Sequence, residues 1–151
     1  MSVAIEYLLN KASEVEIAIH LSACDADFVP PLSGRIEISD YAKKIASNAT
    51  RLEAWSGNAL IGLVAVYCND QENGIAFITN VSVLRPWTSK GIATNLMSQC
   101  IEYAKALGMQ LISLELASNN ISAINLYDKS GFVVSKANTP FIFMDLHLKA
   151  E

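Results

Sequence analysis

Apolar positions along this chain repeat with two different periods, and the places where the period changes mark the ends of elements. Over residues 3–12 the alternation of Ile5, Tyr7 and Leu9 predicts a strand, although Leu8 beside Leu9 also fits helical spacing. Residues 14–24 have the spacing of a helix, with Val15, Ile19 and Ala23 four apart and Ala18 and Leu21 widening the stripe. Residues 25–34 form a loop stiffened by Pro30-Pro31 and carrying Phe28. Its acids Asp25 and Asp27 are read as a solvated helix end rather than as ligand contacts. A second helix, capped by Ser39 or Asp40, turns Tyr41, Ala42, Ile45 and Ala46 inward.

Strand spacing then takes over. Residues 52–55 and 60–68 flank Ser56-Gly57-Asn58, a turn signal that joins antiparallel strands. A third strand of this meander runs from Ile75 toward Leu84, with Val81 and Val83 alternating with Ser82. Arg85-Pro86 ends it, because Pro lacks the N–H that a ladder needs. After Thr88-Ser89-Lys90-Gly91 the apolar residues Ile92, Leu96 and Cys100, with Ala93, Met97, Ile101 and Ala104, make one face of an amphipathic helix. Gly108 closes that helix, and residues 110–117 form a strand with Ile112, Leu114 and Leu116 on one face. A helix between this strand and the one ending near Leu84 predicts a parallel pair with a right-handed crossover. Asn119 or Asn120 caps a shorter helix reaching Asp128, and residues 132–135 and 141–148 are strands.

A chain of 151 residues, 52% hydrophobic, suits a single domain spanning residues 1–151. Its net charge of -4 argues against a nucleic-acid partner, which would require a basic face. Cys24, Cys68 and Cys100 are odd in number, lack metal-type spacing and sit in or beside apolar segments, so they are expected to be reduced core residues, with no metal site. His20 and His147 are read as structural. The N-terminus lacks a basic start and no run of 18 apolar residues occurs, so no membrane partner is expected and the cytoplasm is the expected location.

The candidate chemistry lies in the turn before the long helix. The first N–H groups of a helix have no internal partner, and the helix dipole places about half a positive charge beside them. Gly91 and Ala93 leave this backbone unscreened, Thr88, Ser89 and Thr94 supply hydroxyls, and Lys90 supplies a cation, a set suited to phosphate. A nucleotide P-loop is ruled out because Lys90 precedes Gly91 rather than following it. A dinucleotide fingerprint needs three glycines where this chain has Gly91, Ala93 and Leu96, and it would have to open a doubly wound parallel sheet. A Rossmann-like protein is therefore the weaker alternative.

Two motifs in order and at matching spacing narrow the reading. Val83 followed by Gly91-Ile92-Ala93, and then Asn120, Ala123, Tyr127, Gly131 and Phe132, resemble the acetyl-CoA-dependent N-acetyltransferases of the GNAT superfamily, over roughly residues 59–135. The resemblance implies an α/β (α+β) GNAT fold: a mixed, mostly antiparallel central sheet of six to seven strands, about four helices, and a V-shaped splay after the fourth strand. It also implies that Val81, Val83, Thr88, Ser89, Lys90, Gly91, Ile92, Ala93, Thr94, Asn120 and Tyr127 contact the cofactor. The strand edge beside Val83 would take the pantetheine amide.

The chain departs from the family at several positions. Thr88 stands where Arg or Gln is usual and Ser89 where Gly is common, and the upstream Glu that acts as general base is replaced by Thr79 or Asn80. Some members carry the Glu on the next strand, twelve positions before the Tyr, and Glu115 and Tyr127 have that spacing. The implied reaction transfers an acetyl group from acetyl-CoA, as co-substrate, to a primary amine by direct attack in a ternary complex. Glu115 is the expected base and Tyr127 the expected acid. A small-molecule amine is the favoured acceptor and a protein N-terminus the other. Oligomeric state is open, a homodimer being one option. The alternative function is a catalytically degenerate acetyl-CoA-binding sensor or scaffold.

Overall fold

Seven strands share one sheet in the order β1-β2-β3-β4-β5-β7-β6: β1 (Glu6–Leu9), β2 (Thr50–Ser56), β3 (Ala59–Asp70), β4 (Ile75–Val83), β5 (Leu111–Ala117), β6 (Val133–Asn138) and β7 (Phe141–His147). The computed structural model describes residues 4–148, so the start of the first predicted strand, at residue 3, lies outside the described residues. Those residues contain four α-helices: α1 (Glu14–Cys24), α2 (Ile38–Asn48), α3 (Ile92–Ala106) and α4 (Ile121–Lys129). The β4–β5 pair is parallel and the remaining neighbours are antiparallel. The predicted meander, crossover and C-terminal strands are all present.

Each face of the sheet carries its own core. On one face α3 and α4 pack through Ile92, Leu96, Met97, Cys100 and Tyr127 against Val64, Ile78, Ile112 and Leu114. On the other, α1 and α2 pack through Ile17, Leu21, Ala42 and Ile45 against Trp55, Leu63 and Ala65. Complete burial of side chains such as Ile92 and Leu96 contributes about 1.5–3 kcal/mol each, which makes the α3 face a main source of stability. All three cysteines are free and buried, and burial raises the Cys24 thiol to about 11 and Cys100 to about 12, as expected of unreactive core thiols.

Two local expectations are corrected. The α1 stripe of Val15, Ile19 and Ala23 faces outward, with Val15 62% and Ile19 66% exposed, while Ile17, His20, Leu21 and Cys24 face the sheet. This helix is apolar on nearly every side, so periodicity cannot select its inward face. Helix α2 starts at Ile38, two residues earlier than a cap at Ser39 allows and three earlier than a cap at Asp40. Glu37 is the N-cap residue, without a side-chain cap, and the Ser39 hydroxyl donates to Glu37 Oε1 at 2.9 Å.

The position of α1 is set by a buried carboxylate. Glu53, fully buried on β2, accepts from the Ala12 N–H at 3.0 Å and the Trp55 indole N–H at 2.9 Å, with the Arg51 guanidinium 3.5 Å away. Ser13 and Glu16 then complete a capping box, so the helix that carries His20 enters in a fixed direction.

A bulge on β4 controls the centre of the sheet. Ala65 pairs with Asn80 but Val66 pairs with Ile78, which leaves Thr79 as an extra residue. Because side chains alternate along a strand, that one residue puts Val81 and Val83 on the α3 side with Ile78, and Asn80 and Ser82 on the α1 side. Pairing of β4 with β5 stops at Ile78 and Leu114. Beyond that point the two strands diverge, which is the splay expected after the fourth strand.

Candidate active site

The divergence of β4 from β5 opens a cleft between their C-terminal halves. Thr79, Asn80 and Val81 form one wall, Leu114 to Ala117 the other, and Asn120, Ala123 and Tyr127 of α4 the floor. The loop before α2 covers it with Asp27, Phe28 and Arg35. A second groove, lined by Arg35, Asp40, Tyr41, Lys44, Phe77 and Thr79, joins the cleft at Glu115.

The glycine turn lies past the end of β4. A 3-10 turn at Arg85–Trp87 is followed by two residues with positive φ, Ser89 at 63° and Gly91 at 81°. Gly91 is the N-cap of α3 and supplies no side-chain acceptor, so the first N–H groups of the helix, from Ile92, Ala93 and Thr94, have no protein cap. Nothing would crowd a ligand at Gly91 itself, and Thr88, Ser89, Lys90 and Thr94 are all exposed around it. The uncapped amides and their positive dipole end suit an anion, as the residue types predicted. The Thr88 hydroxyl donates to the Arg85 carbonyl at 2.8 Å, so it braces the turn. Trp87 packs against the α3 core.

Tyr127 is buried in the cleft floor, its ring 5.9 Å from that of Phe132, and desolvation raises its hydroxyl to about 12. The phenol therefore keeps its proton at neutral pH and can donate it. Asn120 caps α4, accepting from the Ala123 N–H at 3.3 Å. Glu115, on the face of β5 opposite Leu114 and Leu116, is exposed where the cleft meets the groove. The fold thus brings Tyr127, Glu115, Asn120 and Val81 into one cleft, with the glycine turn beyond the end of β4.

Several participants were not legible in the sequence reading. Asp27, exposed at the end of the 3-10 turn that follows α1, pairs with Arg85 and also lines the cleft, tying the covering loop to the glycine turn. Asp25 braces the same loop by accepting from the Ser33 N–H at 2.7 Å and the Ser33 hydroxyl at 2.6 Å, which lower its carboxyl pKa. The Arg35 guanidinium rests 5.2 Å from the Phe141 ring centroid. Tyr41 donates to the Thr79 carbonyl at 2.7 Å and lies 2.6 Å from its hydroxyl, which fastens the bulge to α2. Asn80 is buried, its Oδ1 accepting from the Ser82 hydroxyl at 2.8 Å. Ser82 Oγ is also 2.9 Å from His20 Nε2, and His20 Nδ1 donates to the Leu60 carbonyl at 2.9 Å.

Gly62 of β3 is another such residue. A methyl group there would lie 2.8 Å from Ile92 Cγ2, 3.2 Å from Leu96 Cδ1 and 3.3 Å from Ala54 Cβ. Its lack of a side chain lets the first turn of α3 sit directly on the sheet, below the glycine turn. A glycine inside the run Leu60-Ile61-Gly62-Leu63 is the kind of signal that marks close approach.

Known proteins with this arrangement share its architecture. A structure of a GNAT-family acetyltransferase from Staphylococcus aureus Mu50 superposes with a TM-score of 0.80, at 18% identity over 97% of this chain and 100% of that one. A structure from Salmonella typhimurium, with its cofactor acetyl-CoA, gives a TM-score of 0.73 at 16% identity over 96% and 95%. Streptothricin acetyltransferase A of Bacillus subtilis is 33% identical over 82 residues, 54% of this chain and 46% of the relative, so the chain spans about half the length of that relative. The model of the acetyltransferase (GNAT) family matches residues 16–132, which take in most of α1, the glycine turn, both walls of the cleft and α4. With that match, and with the splayed sheet and uncapped α3 turn already described, the chain belongs to the acetyltransferase (GNAT) family.

Proposed function

We propose that this protein, as a single domain over residues 1–151, transfers an acetyl group from acetyl-CoA to a primary amine by direct attack in a ternary complex. The observation that carries the reading is the splay: an unpaired β4 edge at Val81 and Val83, with an uncapped helix N-terminus beyond one end and a protonated phenol inside. The amides of Ile92, Ala93 and Thr94, with Lys90 and Ser89, hold the pyrophosphate, and the β4 edge takes the pantetheine amide. Bound acetyl-CoA supplies the acetyl group as a thioester. Tyr127 gives its proton to the departing CoA thiolate, which leaves as the free thiol, and Glu115, exposed at the mouth, receives the proton that the amine must lose. Similarity to streptothricin acetyltransferase A makes an amine-bearing small molecule the acceptor to test first, ahead of a protein N-terminus.

Thermal melts test the cofactor half. Acetyl-CoA at about 100 times its Kd should stabilise the protein by about 2.7 kcal/mol, and NAD should leave the melting temperature unchanged. Free-thiol release across a panel of amines tests the reaction. The lack of a carboxylate on β4 favours a second reading, an acetyl-CoA-binding sensor, and stabilisation without thiol release on any amine would select it.

A further inference from the structure

Three charged side chains line the cleft: Asp27, Arg35 and Glu115. Asp27 is paired with Arg85, which leaves one cation and one anion. Among the described residues neither of these has an oppositely charged group within 4.0 Å, so they are not paired with each other. The Arg35 guanidinium instead rests 5.2 Å from the centroid of the Phe141 ring, which attracts its charge but gives its five N–H donors no acceptor atom.

The sheet fixes where these two charges stand. Glu115 pairs with Phe143 and Ala117 with Phe141 across β5 and β7, and directly opposite residues of an antiparallel pair share a face. Glu115 and Ala117 are two apart on β5, so Phe141 lies on the Glu115 face, away from Leu114, Leu116 and the α3 core. The Arg35 cation therefore overhangs that face two residues farther along β5 than Glu115, a displacement of roughly 7 Å. Both residues also line the adjoining groove, which is open to an acceptor on the side of the sheet opposite α3.

The signs of these charges select the molecule that fits between them. An amine arrives as an ammonium ion, which Glu115 attracts and an unpaired guanidinium repels unless the same molecule also carries an anion. A planar carboxylate matches the forked donors of a single guanidinium. A phosphate dianion would also meet the repulsion of Glu37, Asp40 and Glu115, all of which line the groove. With charge-assisted hydrogen bonds of about 2.8 Å at either end, a span of roughly 7 Å suits an ammonium and a carboxylate joined through one or two carbons.

We infer that the acceptor is a free amino acid, its ammonium group at Glu115 and its carboxylate on Arg35, with its side chain in the groove beside Tyr41 and Phe77. This names the substrate class of the acetyltransferase reading and rests on that reading for the chemistry. The amine nitrogen forms the new C–N bond as the thioester C–S bond breaks, and the products are the N-acetyl amino acid, free CoA thiol and one proton. Arg35 moves no proton; it is a binding residue that sets specificity.

Thiol release from matched triads tests the inference: an amino acid, its amide and its decarboxylated amine, repeated for small, aromatic and basic side chains. The acidity of the ammonium group ranks the amide first and the amine last, so acidity alone cannot put the amino acid ahead of both. The expected result is a kcat/KM for the amino acid at least about tenfold above its two analogues. Arg35→Gln should lower that value about tenfold, leave the analogues and the KM for acetyl-CoA within about twofold, and Arg35→Lys should keep part of the preference. An amide or a decarboxylated amine used as well as the amino acid, or a preference that survives Arg35→Gln, would overturn the inference while leaving the acetyltransferase reading intact. If no amine releases thiol, that reading fails, and calorimetric titration of the amino acids into acetyl-CoA-saturated protein decides the carboxylate site. Binding that weakens about tenfold in Arg35→Gln would uphold the site, and no binding, or equal binding by the variant, would overturn it.

Discussion

Replacing Gly62 by Ala would test whether the close approach of α3 to β3 sets the anion site. Carbon atoms in contact prefer separations of about 3.5–4.0 Å. The new methyl would stand 2.8 Å from Ile92 Cγ2, so the first turn of α3 must retreat by about 0.7–1.2 Å. Ile92 cannot swing away easily, because a β-branched side chain in a helix is stiff about χ1, and Leu96 behind it is fully buried. Overpacking of this kind costs about 1–3 kcal/mol, partly offset by about 0.5–1 kcal/mol from removing a glycine from a strand interior.

A net loss of about 1–2 kcal/mol should lower the melting temperature by about 2–8 °C in a chain of this size. The retreat moves the uncapped amides of Ile92, Ala93 and Thr94, so acetyl-CoA should also bind about fivefold to tenfold more weakly. Scanning calorimetry and isothermal titration would measure the two effects. Ile92→Ala removes the clashing methyl, so in a double-mutant cycle the two substitutions should couple by at least about 0.5 kcal/mol. A Gly62→Ala protein that melts with the wild type and binds acetyl-CoA equally well would refute the claim that this contact positions the turn.

Tyr127→Phe should lower kcat by about a hundredfold while calorimetric affinity for acetyl-CoA stays within about threefold, because the lost hydroxyl acts in the transition state; unchanged kcat would reduce Tyr127 to packing. For His20 the folded pKa lies below the ordinary 6.5, so between those values the unfolded chain binds a proton that the native state does not. Its contribution is therefore complete above pH 6.5 and is lost as pH falls, at up to about 1.4 kcal/mol per pH unit. Urea melts from pH 7.5 to 5.5 should show that slope in the wild type and a flatter one in His20→Gln; equal slopes would mean that His20 is not buried in its neutral form.

How much was legible in advance depended on whether an interaction is local in the chain. Helix α3 follows from the spacing of Ile92, Leu96 and Cys100, and its open N-terminus follows from Gly91, since both depend on backbone groups a few residues apart. The Asn120 cap, the Ser56-Gly57-Asn58 hairpin and the parallel β4–β5 pair are likewise consequences of short-range patterns and connection length. The residues that assemble the cleft from different elements are another matter. Thr79 bulges because β3 and Tyr41 of α2 hold it, and no feature of residues 75–83 distinguishes that register from a regular one. Asp27 meets Arg85 across 58 residues of sequence and His20 meets Ser82 across 62. Helix α1 shows the same limit in its simplest form. Its residues were apolar enough to pack on either side, and only contact with the sheet chose the face bearing His20 over the one bearing Val15 and Ile19. The sequence by itself determined the elements and the anion-ready turn, because hydrogen bonds within a helix or hairpin depend on near neighbours. Tertiary packing decided which side chains share the cleft, because burial and hydrogen-bond partners belong to positions in space.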